Sequence, residues 1–229
     1  SYEKGIAIRA YNPELYEKMG IVASRLGDYN QAIDFHKKAL AQDATQISLN
    51  LRIAENYFWM NHLQLAFNFA ESYRKKAELG KHELNPDYNR IMGNIKFVSH
   101  EYSEAKKFYE LYFSRSEQVP VREAKSLLHT YMELHEREKA YQFLLDRASL
   151  VLESGDTHFF RGLYYFKGDN LKDARQQLEL ALQSGTNEID TYLYLGRIYY
   201  SQGDNSKALT MFRQYRELGG SSVIEEVAL

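Results

Sequence analysis

An alanine recurs at a nearly constant interval along the chain, and this period constrains the fold more than any other feature. The intervals are 34, 39, 35, 34 and 34 residues, and the alanines are Ala32, Ala66, Ala105, Ala140, Ala174 and Ala208. A period between about 20 and 50 residues indicates repeats that bury their apolar faces only by packing against their neighbours. The chain is therefore predicted to contain about six copies of one supersecondary unit.

Each unit is predicted to be a pair of helices. A second, mostly small marker lies twelve residues before each alanine, at Gly20, Ala54, Gly93, Leu128, Gly162 and Gly196. In the last unit Tyr192, Leu195 and Tyr199 follow the apolar spacing of a helix. Small residues at the two markers would let the paired helices approach closely.

Glycine followed by aspartate marks the predicted turn between the helices, in the segments Gly27-Asp28-Tyr29, Gly168-Asp169-Asn170 and Gly203-Asp204-Asn205. Glycine can adopt the left-handed conformation that ends one helix, and Asp or Asn can cap the next. Three prolines support the boundaries, because Pro13, Pro86 and Pro120 all fall at the entry to a predicted first helix.

These markers resemble the tetratricopeptide repeat (TPR). The segments closest to the family pattern are Tyr16-x-x-Met19-Gly20, Gly162-x-x-Tyr165 and Tyr192-x-x-Leu195-Gly196-x-x-Tyr199. The fourth unit departs from it, with Leu128 at the small position and Glu136-Arg137-Glu138 at the turn. The resemblance implies an all-α fold, a right-handed α-solenoid forming a single domain over 1–229. Its units would be 13–46, 47–80, 86–119, 121–154, 155–188 and 189–222. Residues 1–12 would be the remnant of an earlier repeat, and 223–229 a capping or cut helix.

Composition and motifs favour a non-catalytic protein. The mean hydropathy of −0.55 is typical of soluble proteins, and the compartment stays open between cytoplasm and periplasm. The chain has no cysteine, and it carries none of the common nucleotide-binding, zinc-protease or EF-hand motifs. Its seven histidines lack metal-ligand spacing. We therefore expect no cofactor, no metal and no catalytic residue.

Nucleic-acid binding is the first alternative, since helical repeats can read RNA. With 29 basic and 31 acidic residues, the chain lacks the positive charge that supplies most of such affinity. The remaining surface suits protein. The partner is expected to carry apolar anchors and some acidic groups, without nucleic acid and without direct membrane insertion.

One face of the first helices is the predicted partner site. Positions 2, 5, 9 and 12 of each unit share this face, and in TPR proteins it lines a concave groove. The candidate groove residues are Phe58, Arg90, Asn94, Phe97, Lys125, His129, Phe159, Phe166, Arg197 and Tyr200. Any one of the aromatic residues could instead be a core residue.

A carboxylate clamp of the chaperone-binding TPR type is not expected. Arg90 and Asn94 begin such a set, but His129 and then Phe159 occupy the following positions. The leading hypothesis is a scaffold that binds an extended peptide or helix of a partner in the groove. Two alternatives stay open: a module that stacks end to end or dimerises, and a regulatory segment of a larger enzyme.

Overall fold

The computed structural model describes residues 12–220, and in this range it is entirely helical. The predicted terminal segments at 1–11 and 223–229 lie outside the described residues. Twelve α-helices are joined by short turns and loops between Asn12 and Gly220. The all-α helical-repeat fold expected from the sequence is confirmed. None of the described helices combines the length and apolar character needed to cross a membrane.

The contacts between residues cluster into two compact units that divide between Gln118 and Val119. The first unit contains three helical hairpins. Their helices are α1 (Pro13–Arg25), α2 (Tyr29–Gln42), α3 (Leu49–Trp59), α4 (Leu63–Leu79), α5 (Pro86–Val98) and α6 (Tyr102–Arg115). Within it α2 packs on α3 and α4 packs on α5, so each second helix also contacts the first helix of the next hairpin.

The second unit repeats this arrangement. Its helices are α7 (Val121–Glu133), α8 (Arg137–Asp146), α9 (Ser154–Lys167), α10 (Leu171–Gln183), α11 (Asp190–Ser201) and α12 (Asn205–Glu217). The hairpin α7–α8 is irregular, because α8 has only 10 residues and is followed by a 3₁₀ turn at Ala148–Leu150. This is the hairpin whose sequence departs from the family pattern. The expectation of one continuous domain stays a prediction.

The two sequence markers lie in the helix–helix contacts. All six marker alanines are buried, with at most 2% of any one exposed. At the small marker, a Cβ on Gly93 would lie 2.7 Å from the Tyr109 ring, and one on Gly162 would lie 2.7 Å from Leu178 Cγ. Real Cβ atoms do not come this close to a neighbour, so the glycines permit the observed helix separation.

The turns follow the prediction at two of three sites. Gly27 and Gly203 have φ of +80° and +79°, and the aspartates that follow them cap α2 and α12. At the third site the prediction is wrong by one residue. Gly168 has φ −94°, Asp169 takes the left-handed conformation with φ +59°, and Asn170 caps α10. An Asp side chain can tolerate this conformation, so the turn does not need the glycine.

Candidate functional site

In the first unit, ion pairs join the first helices of successive hairpins. Arg90 on α5 donates to Glu55 on α3 at 2.7 Å and to Asp87 at 2.9 Å. Burial would lower the pKa of Arg90, but the two carboxylates outweigh it and raise the pKa well above its usual range. The guanidinium is thus a structural cation between two helices. It is not available to grip a partner's terminal carboxylate.

Two other candidates in this unit are covered. Asn94 is 4% exposed and accepts a hydrogen bond of 2.8 Å from the Tyr109 hydroxyl of the paired helix α6. Phe58 is 7% exposed and packs edge-on against Trp59. Phe97 remains half-buried, with its ring 5.9 Å from that of Tyr102. Of the four candidates here, Phe97 is therefore the most accessible aromatic.

In the second unit, Lys125 and His129 on α7 belong to a charged cluster that the sequence did not reveal. Lys125 donates to Asp156 at 2.6 Å and to Glu188 at 2.9 Å, and His129 Nε2 lies 3.4 Å from Glu188. Asp156 is 3% exposed and also accepts from the Thr186 hydroxyl at 2.9 Å. The cluster ties α7 to the start of α9 and to the loop before α11.

The charge state of Glu188 follows from these contacts. Burial alone would raise its pKa, but hydrogen bonds and charge interactions with His129 and Lys125 lower the pKa to about 2. Glu188 is therefore ionised at neutral pH, and the Lys125 charge is balanced within the protein. Like Arg90, Lys125 forms ion pairs within the protein and therefore has a structural role.

The aromatic candidates divide by burial. Phe159 is fully buried, and its ring centroid lies 6.0 Å from that of His129, 5.1 Å from that of Phe160 and 6.4 Å from that of Tyr194. It is therefore not accessible to a partner. Phe166, near the end of α9, is half-buried. Tyr200, near the end of α11, is 51% exposed.

Phe166 and Arg197 meet at Tyr194, a residue that the sequence analysis missed. The rings of Phe166 and Tyr194 are 4.9 Å apart, and the Arg197 guanidinium lies 6.0 Å from the Tyr194 ring. Burial and the Asp190 charge raise the pKa of Tyr194 to about 12, so its hydroxyl stays protonated. We call Phe166, Tyr194, Arg197 and Tyr200 the aromatic patch.

The sequence contained a usable signal for Tyr194 and none for the acids. Tyr194 lies three residues before Arg197, and Arg197 three before Tyr200, so each of these two pairs consists of neighbours on the surface of α11. Glu188 lies in a loop, and Asp156 reaches Lys125 only through the packing of α9 against α7. Helical periodicity cannot predict such contacts.

One hairpin is matched by a family model. The tetratricopeptide repeat model matches residues 13–46, the limits expected for the first unit. No curated protein matches the chain.

Several solved structures share the fold over most of the chain. YrrB, described as a TPR protein with an unusual peptide-binding site, gives a TM-score of 0.61 at 19% identity, covering 84% of this chain and 96% of its own. Pseudomonas aeruginosa pilF gives a TM-score of 0.68 at 18% identity, and the match covers 92% of this chain and 93% of pilF. A chain of the APC/C hetero-tetramer Cut9–Hcn1 gives a TM-score of 0.68 at 13% identity, and the match covers 93% of this chain and 41% of that one.

Together the repeat period, the hairpin geometry and these comparisons agree on one conclusion. The chain carries a tetratricopeptide repeat at residues 13–46, and its helical hairpins have the fold of TPR proteins.

Proposed function

We propose that the chain is a non-catalytic scaffold that binds an extended peptide or a helix of a partner protein on the face of its first helices. The TPR fold supports protein–protein interaction in general. Structures with this fold include a protein described with a peptide-binding site and a hetero-tetrameric assembly.

The observation that carries this proposal is the aromatic patch. It combines a half-buried ring, Phe166, with a tyrosine that is 51% exposed, Tyr200. Arg197 lies 6.0 Å from the ring of Tyr194, which itself contacts Phe166. Tyrosine and arginine are the residue types enriched where a few contacts dominate binding. The two helices involved, α9 and α11, contact each other. The patch is therefore held on rigid elements.

The ion pairs change the expected chemistry of the partner. Arg90 and Lys125 were expected to attract acidic groups, but both are already paired with carboxylates of this chain. Arg197, whose guanidinium lies 6.0 Å from the Tyr194 ring, stays a candidate for orienting a partner. We infer a partner segment with an aromatic or aliphatic anchor and some acidic groups.

Photo-crosslinking at Tyr200 tests the proposal. A benzoylphenylalanine at position 200 should capture the partner from a native lysate, and the captured protein should then be titrated with the unmodified chain. The matched control places the same probe at Arg213, which is exposed on the second helix α12. Capture at position 200 and not at position 213 is the expected result.

The double substitution Phe166→Ser and Tyr200→Ser should then weaken binding of that partner by about 2–4 kcal/mol, as truncation of dominant interface residues does. Circular dichroism should show unchanged helicity. Equal affinity of the double variant and the wild type would contradict the proposal. So would capture through position 213 alone.

A further inference from the structure

The outer side of α1 carries an apolar stripe that nothing in the described part of the chain covers. Leu15, Met19, Val22 and Leu26 are 51%, 38%, 55% and 80% exposed. Their spacing of four, three and four residues aligns them along one side of a helix, in the pattern that packs against another helix. We call these four residues the α1 stripe.

The other hairpins show what this side of a first helix does. The residues equivalent to Leu15, Met19 and Val22 are buried in α3, α5 and α11, and none is more than 4% exposed. They are Leu49, Ile53, Asn56, Tyr88, Met92, Ile95, Thr191, Leu195 and Ile198. In each case the second helix of the preceding hairpin packs on that first helix: α2 on α3, α4 on α5, and α10 on α11. By analogy with these hairpins, the α1 stripe has the position of a surface on which another helix packs.

The covering helices share a chemical feature: several present a carboxylate to the helix beneath. Glu71 on α4 accepts from the Tyr88 hydroxyl at 2.7 Å. Glu179 on α10 accepts from Tyr199 at 2.8 Å. Glu138 on α8 accepts from Tyr164 at 3.2 Å. Three covering helices thus carry an acidic residue beside the apolar side, whereas α2 presents Lys37 to the Tyr57 hydroxyl at 3.0 Å.

The α1 stripe is flanked by cations that suit such a residue. Lys18 and Arg25 each lie three residues after a stripe residue, Leu15 and Val22, and so share one edge of it. Both are exposed, and no ion pair to either forms within residues 12–220. The same edge also carries the exposed acid Glu14, so the two cations outnumber it by one. A covering helix with acidic residues along this edge would be attracted, and one with basic residues would be repelled.

We propose that the α1 stripe docks an amphipathic α-helix of a partner protein, with acidic residues flanking its apolar side. A second copy fits less well, because two antiparallel α1 helices would bring Lys18 and Arg25 of both copies together. The exposed side of α12 also carries cations, Arg213 and Arg216. Residues 1–11 contain two cations and one acid, so they lack the complementary charge.

Two synthetic helical peptides with the same leucine stripe test this, one flanked by Glu and the other by Lys. Fluorescence anisotropy should show the Glu peptide binding the wild-type chain at least about tenfold more tightly. The double variant Lys18→Glu and Arg25→Glu should reverse that preference. Val22→Gln with Leu26→Gln should weaken binding by about tenfold or more. The control Leu79→Gln, at a leucine that is 88% exposed on α4, should change nothing.

Four results would overturn the proposal. The first is that neither peptide binds, and the second is that both bind equally. The third is that binding appears only after residues 1–11 are deleted, which would make that segment the occupant. The fourth is that light scattering shows a dimer that Val22→Gln abolishes, which would make a second copy the occupant. All substituted residues are exposed, and circular dichroism of each variant checks that the fold is retained.

Discussion

At the scale of single residues, one backbone conformation recurs in every hairpin. The second residue after the end of the first helix has a positive φ, between 58° and 80°, in all six described hairpins. These residues are Gly27, Asn61, His100, His135, Asp169 and Gly203, spaced at the same intervals as the marker alanines. Only two are glycines. The others have side chains that tolerate this region better than most, although with some strain.

His135 is the best site to test this strain, because its side chain is exposed and makes no hydrogen bond, ion pair or ring contact within the described residues. Replacing His135 with Gly should raise the free energy of unfolding by about 0.5–1 kcal/mol, since glycine adopts a positive φ without steric cost. His135→Val should instead destabilise the protein. Urea unfolding of the three proteins measures both effects, and a loss of stability in the Gly variant would contradict the argument.

From the sequence, the positive φ was predicted only at glycines. Gly27 and Gly203 were correctly placed, but Gly168 drew the prediction one residue too early. The two histidines carried no individual signal, because histidine is common in many conformations. Aligning the turn on the 34-residue period would have found all six positions.

At the scale of helices, the two halves match each other in size in five of the six described hairpins; the irregular hairpin α7–α8 has buried leucines at both positions, Leu128 and Leu144. The residue sixteen positions after each marker glycine is large: Gly20 faces His36, Gly93 faces Tyr109, Gly162 faces Leu178 and Gly196 faces Phe212. Where the marker is Ala54, the equivalent residue is Ala70, which is fully buried. The space beside each marker glycine is thus occupied by a large side chain from the paired helix.

Gly162 and Leu178 allow a double-mutant test of this match. Gly162→Ala should destabilise the protein by about 1–3 kcal/mol, because the new Cβ overlaps Leu178. Leu178→Ala should cost about 2–5 kcal/mol. The two together should cost less than the sum of the single effects, by at least about 0.5 kcal/mol, since the smaller side chain relieves the overlap. Strict additivity in chemical unfolding would exclude the contact, and Gln183→Ala on exposed α10 surface serves as the control.

Prediction of the site was less complete than prediction of the helices. Periodicity places a residue on a face, and of the residues it placed there Phe166 is half-buried and Tyr200 is exposed. It cannot distinguish Phe166 from Phe159, because neighbouring helices decide which ring is covered. Nor can it pair Lys125 with Glu188, which lies 63 residues later in a loop.

At the scale of the whole molecule, two buried groups make stability depend on pH in separate ranges. His36 is 1% exposed in the first unit, and its Nδ1 has no hydrogen-bond partner. Burial, with a smaller effect of the Arg52 charge, lowers its pKa from 6.5 to about 4. Between these values the unfolded chain binds a proton that the folded chain does not, so stability falls as the pH falls.

We expect the first unit to lose up to about 3 kcal/mol between pH 6.5 and pH 4 through His36, with no further loss from this residue below pH 4. The single tryptophan, Trp59, lies in this unit and reports its unfolding. His36→Phe should remove this loss, because Phe212 already fills the equivalent position opposite a glycine. The exposed His62→Gln variant should retain it. An unchanged pH dependence in His36→Phe would contradict the assignment.

Glu188 should act in the second unit at lower pH. Its folded pKa of about 2 lies below the ordinary value of 4.5, so its contribution is present above pH 4.5 and lost as the pH falls toward 2. Glu188→Gln should therefore lower stability at pH 7 by on the order of 2 kcal/mol and flatten the acid dependence. Hydrogen exchange of α9 and α11 measures this, with exposed Glu153→Gln as the control. Equal protection in Glu188→Gln and wild type would rule the contribution out.

The size match across these five hairpins also has an evolutionary consequence. A recombination event that joined the first helix of one repeat to the second helix of another could place Tyr109 opposite Ala54, or leave a gap between Gly93 and Ala70. Both products would fold poorly, although every residue came from a functional repeat. Exchange or duplication of whole hairpins keeps each pair together. The hairpin, rather than the single helix, is therefore the smallest piece of this chain that can be inherited independently.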